Sequence, residues 1–192
     1  MADAVRDGDD GREVGDDAMW SLSSAKPGNG VDQLRDDNMD TYWQSDGVQP
    51  HLINIQFARK MVIKEVALYL DYKLDESYTP KKIAIRSGST VHDLKEIHVQ
   101  HIAEPSGWIS IPLHADEVSE QAPLRTFFLQ VVVLAMHQNG RDTHIRQVKI
   151  YAPRDQRPRL DHPGGHHAAV RCVLVHPLAA ACPTYPIYLS AY

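Results

Sequence analysis

The run "FFLQVVVLAM", residues 127–136, limits the fold more than any other part of the chain. Its ten residues are apolar at every position except Gln130 and rich in β-branched valine, so a strand made of them presents apolar side chains to both faces. Such a strand must be covered on both sides, which predicts the centre of a sheet.

Shorter runs around it alternate between apolar and polar. In "HLINIQF", Ile53, Ile55 and Phe57 share a face opposite Asn54 and Gln56, and Val66, Leu68 and Leu70 do the same in "KEVALYLDY". Ile83 with Ile85, Ile97 with Val99, and Ile109 with Ile111 and Leu113 continue the series, punctuated by Gly, Pro and Ser. "IRQVKIYAP" places Val148 and Ile150 on one face and stops at Pro153, whose nitrogen cannot donate to a ladder. No helical stripe of comparable length competes. The expectation is an all-β domain, a jelly-roll β-sandwich with loops gathered at its two ends, and such loops are where binding usually resides.

The flanks differ in composition. "MADAVRDGDDG", residues 1–11, is acidic and poor in apolar residues, and reads as a solvated tail rather than a signal or transit sequence. From residue 154 onward "RDQRPRLDHPGGHH" is rich in Pro, Gly and charge and opens a second expected disordered tail, 154–192, which leaves 12–153 as the domain. Both cysteines, Cys172 and Cys182, lie in that tail, so disulfides are not expected to hold the body together, and a reducing compartment suits the chain. No apolar stretch reaches the length of a membrane span. With 25 acidic against 20 basic side chains and a formal charge of −5, a nucleic-acid backbone is not an expected partner either.

The chain carries little that points to reactive chemistry. In "DQLRDDNMDTYWQSDG", Asp36, Asn38 and Asp40 occupy the first, third and fifth places of a calcium loop. Thr41 stands where that loop needs glycine and Gly47 where it needs a bidentate Glu, which excludes an EF-hand. The simpler reading is side-chain-to-backbone turn bonds by Asp36, Asp37 and Asn38, with Tyr42 and Trp43 packed on the sandwich; a calcium site of another type is the alternative. His137 and His144 flank a loop, but three or four convergent metal ligands are not evident, and no metal or cofactor is expected. His144 with Asp142 would be the start of a hydrolase site, yet no nucleophile accompanies them. No catalytic residues are assigned, and a binding module is the better class.

Two polar loops remain, "HQNGRDTH" and "DYKLDESYTPKK", each following a strand. Asn139-Gly140 suits a type I′ hairpin turn, but two residues suffice for that, and the donors and acceptors crowded round it suit a surface that reads another molecule through hydrogen bonds.

The stretches "WSLSSAKPGNGVDQLRDDNMDTYWQSDGVQPHLINIQF", "DYKLDESYTP", "EPSGWISIPL" and "HQNGRDTHIRQVKIY" together resemble the Doc-domain family of the anaphase-promoting complex, a ubiquitin ligase. The resemblance runs from about Arg12 to Pro153. It implies a galactose-binding-like jelly roll and a non-catalytic role as co-receptor, with a propeller coactivator, for the destruction-box degron of cell-cycle substrates. The implied degron contacts are Ser77 and Asn139, with Asp75, Glu76, Tyr78, Gly140, Arg141, Asp142, Thr143 and His144 completing the surface. The implied partners are the other subunits of the complex, the coactivator and destruction-box substrates, and the expected location is the nucleus and cytoplasm. Family members typically end in an Ile-Arg dipeptide that docks into a tetratricopeptide-repeat subunit. This chain ends "PIYLSAY", a departure that puts tail docking in doubt and leaves the sandwich surfaces as a weaker route to the ligase. The competing expectation is a carbohydrate-binding jelly-roll module, with Trp43 or Tyr78 stacking on a sugar ring.

Overall fold

The computed structural model describes residues 11–116 and 119–154, so the expected tails lie outside the described residues except for Gly11 and Arg154. The strands are β1 (Gly11–Glu13), β2 (Ala18–Leu22), β3 (Trp43–Gln44), β4 (His51–Ile63), β5 (Glu65–Asp71), β6 (Pro80–Gly88), β7 (Lys95–His101), β8 (Ser106–Pro112), β9 (His114–Asp116), β10 (Ser119–Met136), β11 (His144–Ile145) and β12 (Gln147–Pro153). Two short helices, α1 (Val31–Arg35) and α2 (Tyr72–Asp75), and three 3-10 turns complete the described elements.

One sheet runs β1-β12-β5-β8 and the other β2-β4-β10-β6-β7, with β9 added on β10 and a small β11-β3 ribbon beside them. The expected all-β sandwich is present. Its core forms where the predicted faces meet: Ile53, Ile55, Phe57, Ile83, Ile85, Leu129, Val131 and Val133 from the larger sheet, and Val66, Leu68, Leu70, Ile111, Val148 and Ile150 from the smaller. Each such side chain contributes about 1.5–3 kcal/mol by leaving water.

The apolar run does hold the centre, with β10 paired antiparallel to β4 on one side and β6 on the other. Phe128, Gln130 and Val132, on the face away from the core, are buried as well. Gln130 stays satisfied there: its amide donates to Asn54 Oδ1 at 2.8 Å, and Arg86 donates to its carbonyl oxygen at 3.4 Å. Phe127 departs from the expectation and is 36% exposed, because the register with β4 shifts between Thr126 and Phe128. Val99 also departs, at 38% exposed, since β7 is an edge strand with β6 as its neighbour in the sheet and a shifted register opposite Ile85 and Arg86.

The ladder decides which loops meet. Met136, the last residue of β10, pairs with Pro80, the first of β6, and His51, the first of β4, pairs with Val133. The segments entering β6, leaving β10 and entering β4 therefore emerge side by side at one end of the larger sheet.

Candidate functional site

The segment before β6 is built by local capping. Asp71 Oδ1 accepts from the backbone amides of Lys73 at 2.9 Å and Leu74 at 3.3 Å, which starts the single turn of α2. Glu76, at φ 43° and ψ −112°, breaks that turn and redirects the chain into the 3-10 turn Glu76–Tyr78. A β-carbon is disfavoured in that backbone region, and holding one there costs on the order of 1–3 kcal/mol. Glu76→Gly is therefore expected to raise the unfolding midpoint of the full chain, or leave it unchanged, where Glu→Gly on an ordinary exposed loop lowers it. Thermal unfolding of the two proteins decides this, and a clear drop would show that no strain resides at Glu76.

The segment after β10 turns on a different pair of residues from the one the sequence suggested. Gln138 (φ 51°, ψ 26°) and Asn139 (φ 56°) take the positive-φ positions, and Gly140 N donates to the His137 carbonyl at 2.9 Å. The turn has type I′ geometry but sits one residue earlier than Asn139-Gly140. Nor is it a hairpin, because β10 pairs with β4 and β6 while β12 pairs with β1 and β5. The chain is crossing between sheets. Gly140 itself has φ −56°, which any residue tolerates. Glycine is needed there for another reason: a β-carbon would overlap the carbonyl oxygen of Ser77. The Ser77 and Asn139 turns are thus locked against each other, backbone to backbone. Gln138 adds a side-chain tie, donating to the Tyr72 hydroxyl at 3.2 Å.

Under these turns lies a buried polar cluster. Asp75 Oδ1 pairs with His144 Nδ1 at 3.0 Å and accepts from Arg146 Nη2 at 2.9 Å, while its Oδ2 accepts from Arg146 Nε at 2.9 Å. Arg146 Nη1 also donates to the Met39 carbonyl at 2.8 Å. The His144 ring is stacked between Tyr42 at 4.1 Å and Tyr78 at 4.2 Å. Thr143 Oγ1 donates to the Tyr78 carbonyl at 3.2 Å. Desolvation pushes the Asp75 carboxyl toward its neutral form, but the hydrogen bonds and charges of His144 and Arg146 outweigh it and hold its pKa below the ordinary carboxylate value.

The ten residues named from sequence therefore divide by depth. Glu76, Tyr78, Asn139 and Arg141 are exposed, and Ser77, Gly140 and Asp142 are half-buried. Asp75, Thr143 and His144 are buried, which corrects their placement on the surface: they brace the turns from beneath. The carboxylate that holds His144 is Asp75, not Asp142 as a hydrolase pairing would need. Trp43 is also fully buried, its indole donating to the Ser24 carbonyl at 2.9 Å, so it offers no face to a sugar ring.

In the acidic segment Asp36 and Asn38 make the turn bonds read from the sequence, whereas the Asp37 carboxylate departs from that reading and meets Lys149 Nζ at 2.7 Å. Asn38 N donates to Asp36 Oδ1 at 2.9 Å and Asp40 N to Asn38 Oδ1 at 3.0 Å, while Gln147 Nε2 donates to Asp36 Oδ1 at 2.7 Å. Among the described residues no group of three or more His, Cys, Asp or Glu side chains is placed to hold a metal ion.

Sequence reasoning missed three contributors. Arg146 was legible only as a charge between Ile145 and the alternating stretch that becomes β12. Gln49 and His51 carried no signal, yet Gln49 Nε2 donates to the Gly140 carbonyl at 3.0 Å and the Arg141 carbonyl at 3.3 Å, and His51 Nε2 to the Arg141 carbonyl at 2.7 Å.

Residues 2–175 match the family model described as anaphase-promoting complex, subunit 10. That match continues past Pro153, where the resemblance read from the sequence stopped. The chain is 61% identical over 142 residues to the Homo sapiens anaphase-promoting complex subunit 10, covering 74% of this chain and 75% of that protein. It is 34% identical over 139 residues to the Saccharomyces cerevisiae anaphase-promoting complex subunit DOC1, covering 72% of this chain and 55% of that one. Among solved structures, the family 32 CBM from C. perfringens NanJ in complex with galactose aligns with a TM-score of 0.60 at 10% identity, covering 73% of this chain and 98% of that chain. An F5/8 type C domain from Bacteroides fragilis aligns with a TM-score of 0.60 at 11% identity, covering 75% and 97%. At such identities the likeness is one of fold, a galactose-binding-like jelly roll.

Proposed function

Because the chain belongs to the anaphase-promoting complex subunit 10 family, and so is a subunit of that complex, we propose that it serves there as a non-catalytic co-receptor for the destruction-box degron. It acts with a propeller coactivator and promotes processive ubiquitination of cell-cycle proteins, in the nucleus and cytoplasm. Ser77 and Asn139 hydrogen-bond the polar, C-terminal part of an extended degron peptide, whose arginine and leucine anchors rest on the coactivator. Glu76, Tyr78, Gly140, Arg141 and Asp142 frame those contacts, and Asp75, Thr143 and His144 hold them in place.

The observation that carries this reading is the locking of the Ser77 turn onto the Asn139 turn through Gly140. Two polar groups on separate loops are thereby offered at a fixed spacing, and preorganised donors and acceptors bind with less entropy to lose. A short polar peptide still binds weakly by itself, since little apolar area leaves water and the peptide must be ordered. Held in one assembly with the coactivator, the second contact forms at high effective concentration, so two weak half-sites capture the degron together.

Ser77→Ala and Asn139→Ala are each expected to remove about 0.5–1.5 kcal/mol of binding, so the double variant loses about 1–3 kcal/mol and retains between roughly a fifth and a hundredth of the degron affinity. Ubiquitination by the assembled ligase with coactivator should then add fewer ubiquitins per encounter on degron-bearing substrates, at unchanged activity on a substrate lacking the degron. Unchanged processivity from a folded double variant would remove this function.

A further inference from the structure

The third segment at this end, residues 45–50, belongs to neither polar loop, yet it too is laced to the Asn139 loop. Ser45 N donates to the Thr143 carbonyl at 3.2 Å, and Thr143 N donates back to Ser45 Oγ at 2.9 Å. Gln49 and His51 hold the carbonyls of Gly140 and Arg141. In the middle of this tethered segment stands Val48, 87% exposed. A single exposed valine is ordinary. Here it has company: of the seven large hydrophobic residues exposed among the described residues, three, Val48, Leu74 at 66% and Tyr78 at 38%, belong to the segments that converge at this end. Leu74 and Tyr78 flank Ser77 in the chain, whereas Val48 is held on the Gly140-Arg141 side.

We infer that residues 45–50 form a third wall of the peptide-reading surface, on which Val48 receives an aliphatic side chain from the C-terminal half of the bound signal. The inference rests on the peptide-reading role proposed above and adds a selectivity to it. Ser77 and Asn139 offer hydrogen bonds that any polar backbone can accept, so alone they discriminate little. An apolar contact fixed beside them by Gln49 favours peptides with a branched or straight aliphatic residue at one position, because burying it removes apolar area from water on both partners. Neighbouring residues of an extended peptide point to opposite sides, so one side chain can face Val48 while the backbone remains available to Asn139.

The test uses the full chain in the assembled ligase with coactivator, titrated with a fluorescent destruction-box peptide and with versions in which each aliphatic residue of its C-terminal half is replaced singly by serine. Val48→Ser is expected to weaken the parent peptide by about threefold to tenfold, and Val48→Ile to retain wild-type binding. One serine-substituted peptide should bind wild type and Val48→Ser alike. If Val48→Ser binds every peptide as wild type does while Ser77→Ala and Asn139→Ala still weaken binding, the third wall is refuted and the peptide-reading role stands. If Val48→Ser weakens all peptides by the same factor, Val48 contacts another protein of the assembly and the inference fails. Should Ser77→Ala and Asn139→Ala leave binding unchanged, the underlying role falls first.

Discussion

Asp75→Ala is expected to lower the unfolding free energy of the chain by about 3–5 kcal/mol, because it leaves the buried Arg146 guanidinium without its counter-charge. Asp75 accepts from Arg146 through both oxygens and holds His144 through one of them, and all three side chains are buried. Removing the carboxylate forfeits these bonds and strands a desolvated cation, which costs more than the pair contributes when intact. Asp75→Asn keeps the shape and one acceptor oxygen, so its loss should be smaller. Urea unfolding followed by tryptophan fluorescence measures both. Loss of less than about 1 kcal/mol in Asp75→Ala would mean that the cluster is wetter than its burial indicates.

The same cluster sets an acid limit. The folded-state pKa of Asp75 is depressed below the unfolded value, so its contribution is fully present above the unfolded carboxylate pKa, about 3.9, and is lost as pH falls through the lower folded value. Wild type should therefore lose this increment only below about pH 4, and Asp75→Ala should show a flatter stability profile in that range.

Gly140→Ala is expected to have the largest effect on function, cutting degron capture by about tenfold or more. The φ of Gly140 is acceptable to alanine, so in open space the substitution would be neutral or slightly stabilising. At this position the new methyl meets the Ser77 carbonyl oxygen, and one turn must move away from the other. Overpacking of this kind costs about 1–3 kcal/mol, but the displaced turns lie at the rim, so the fold survives while the spacing of Ser77 and Asn139 does not. Gly30→Ala is the matched control, since the nearest atom to its β-carbon is 4.0 Å away and its φ is −112°. Degron titration of the assembled ligase compares the two; equal binding by both variants would show that the spacing of the turns does not matter.

Much of the sandwich was legible because its information is local. Ile53, Ile55 and Phe57 declare a half-buried strand by alternation alone, and the run containing Val131 to Val133 declares a central one by lacking it. Val99 and Phe127 were misjudged for reasons outside their own segments: one lies on an edge strand and the other beside a bulge, and neither is marked in the residues themselves. At the site, the polar loops stood out by composition, and Ser77 and Asn139 entered by family resemblance. What sequence could not show was depth. Asp75 and His144 are 69 residues apart, and nothing in either segment says that they meet beneath Tyr78. Likewise Gly140 reads as a turn residue until the approach of Ser77 is seen, and Gln49 reads as ordinary loop until its bonds to Gly140 and Arg141 appear.

The claim that the Ser77 and Asn139 turns together read a linear signal is tested most directly by cross-linking from the site itself. A photo-reactive side chain is placed in turn at positions 77, 139 and, as a control on the edge strand β7, 99, in the full chain within the ligase and its coactivator. Positions 77 and 139 are both expected to cross-link to the C-terminal half of a destruction-box peptide, excess unlabelled peptide to abolish this, and 99 not to cross-link. Cross-linking from 77 and 139 no stronger than from 99, in a ligase that still binds the peptide, would contradict the claim.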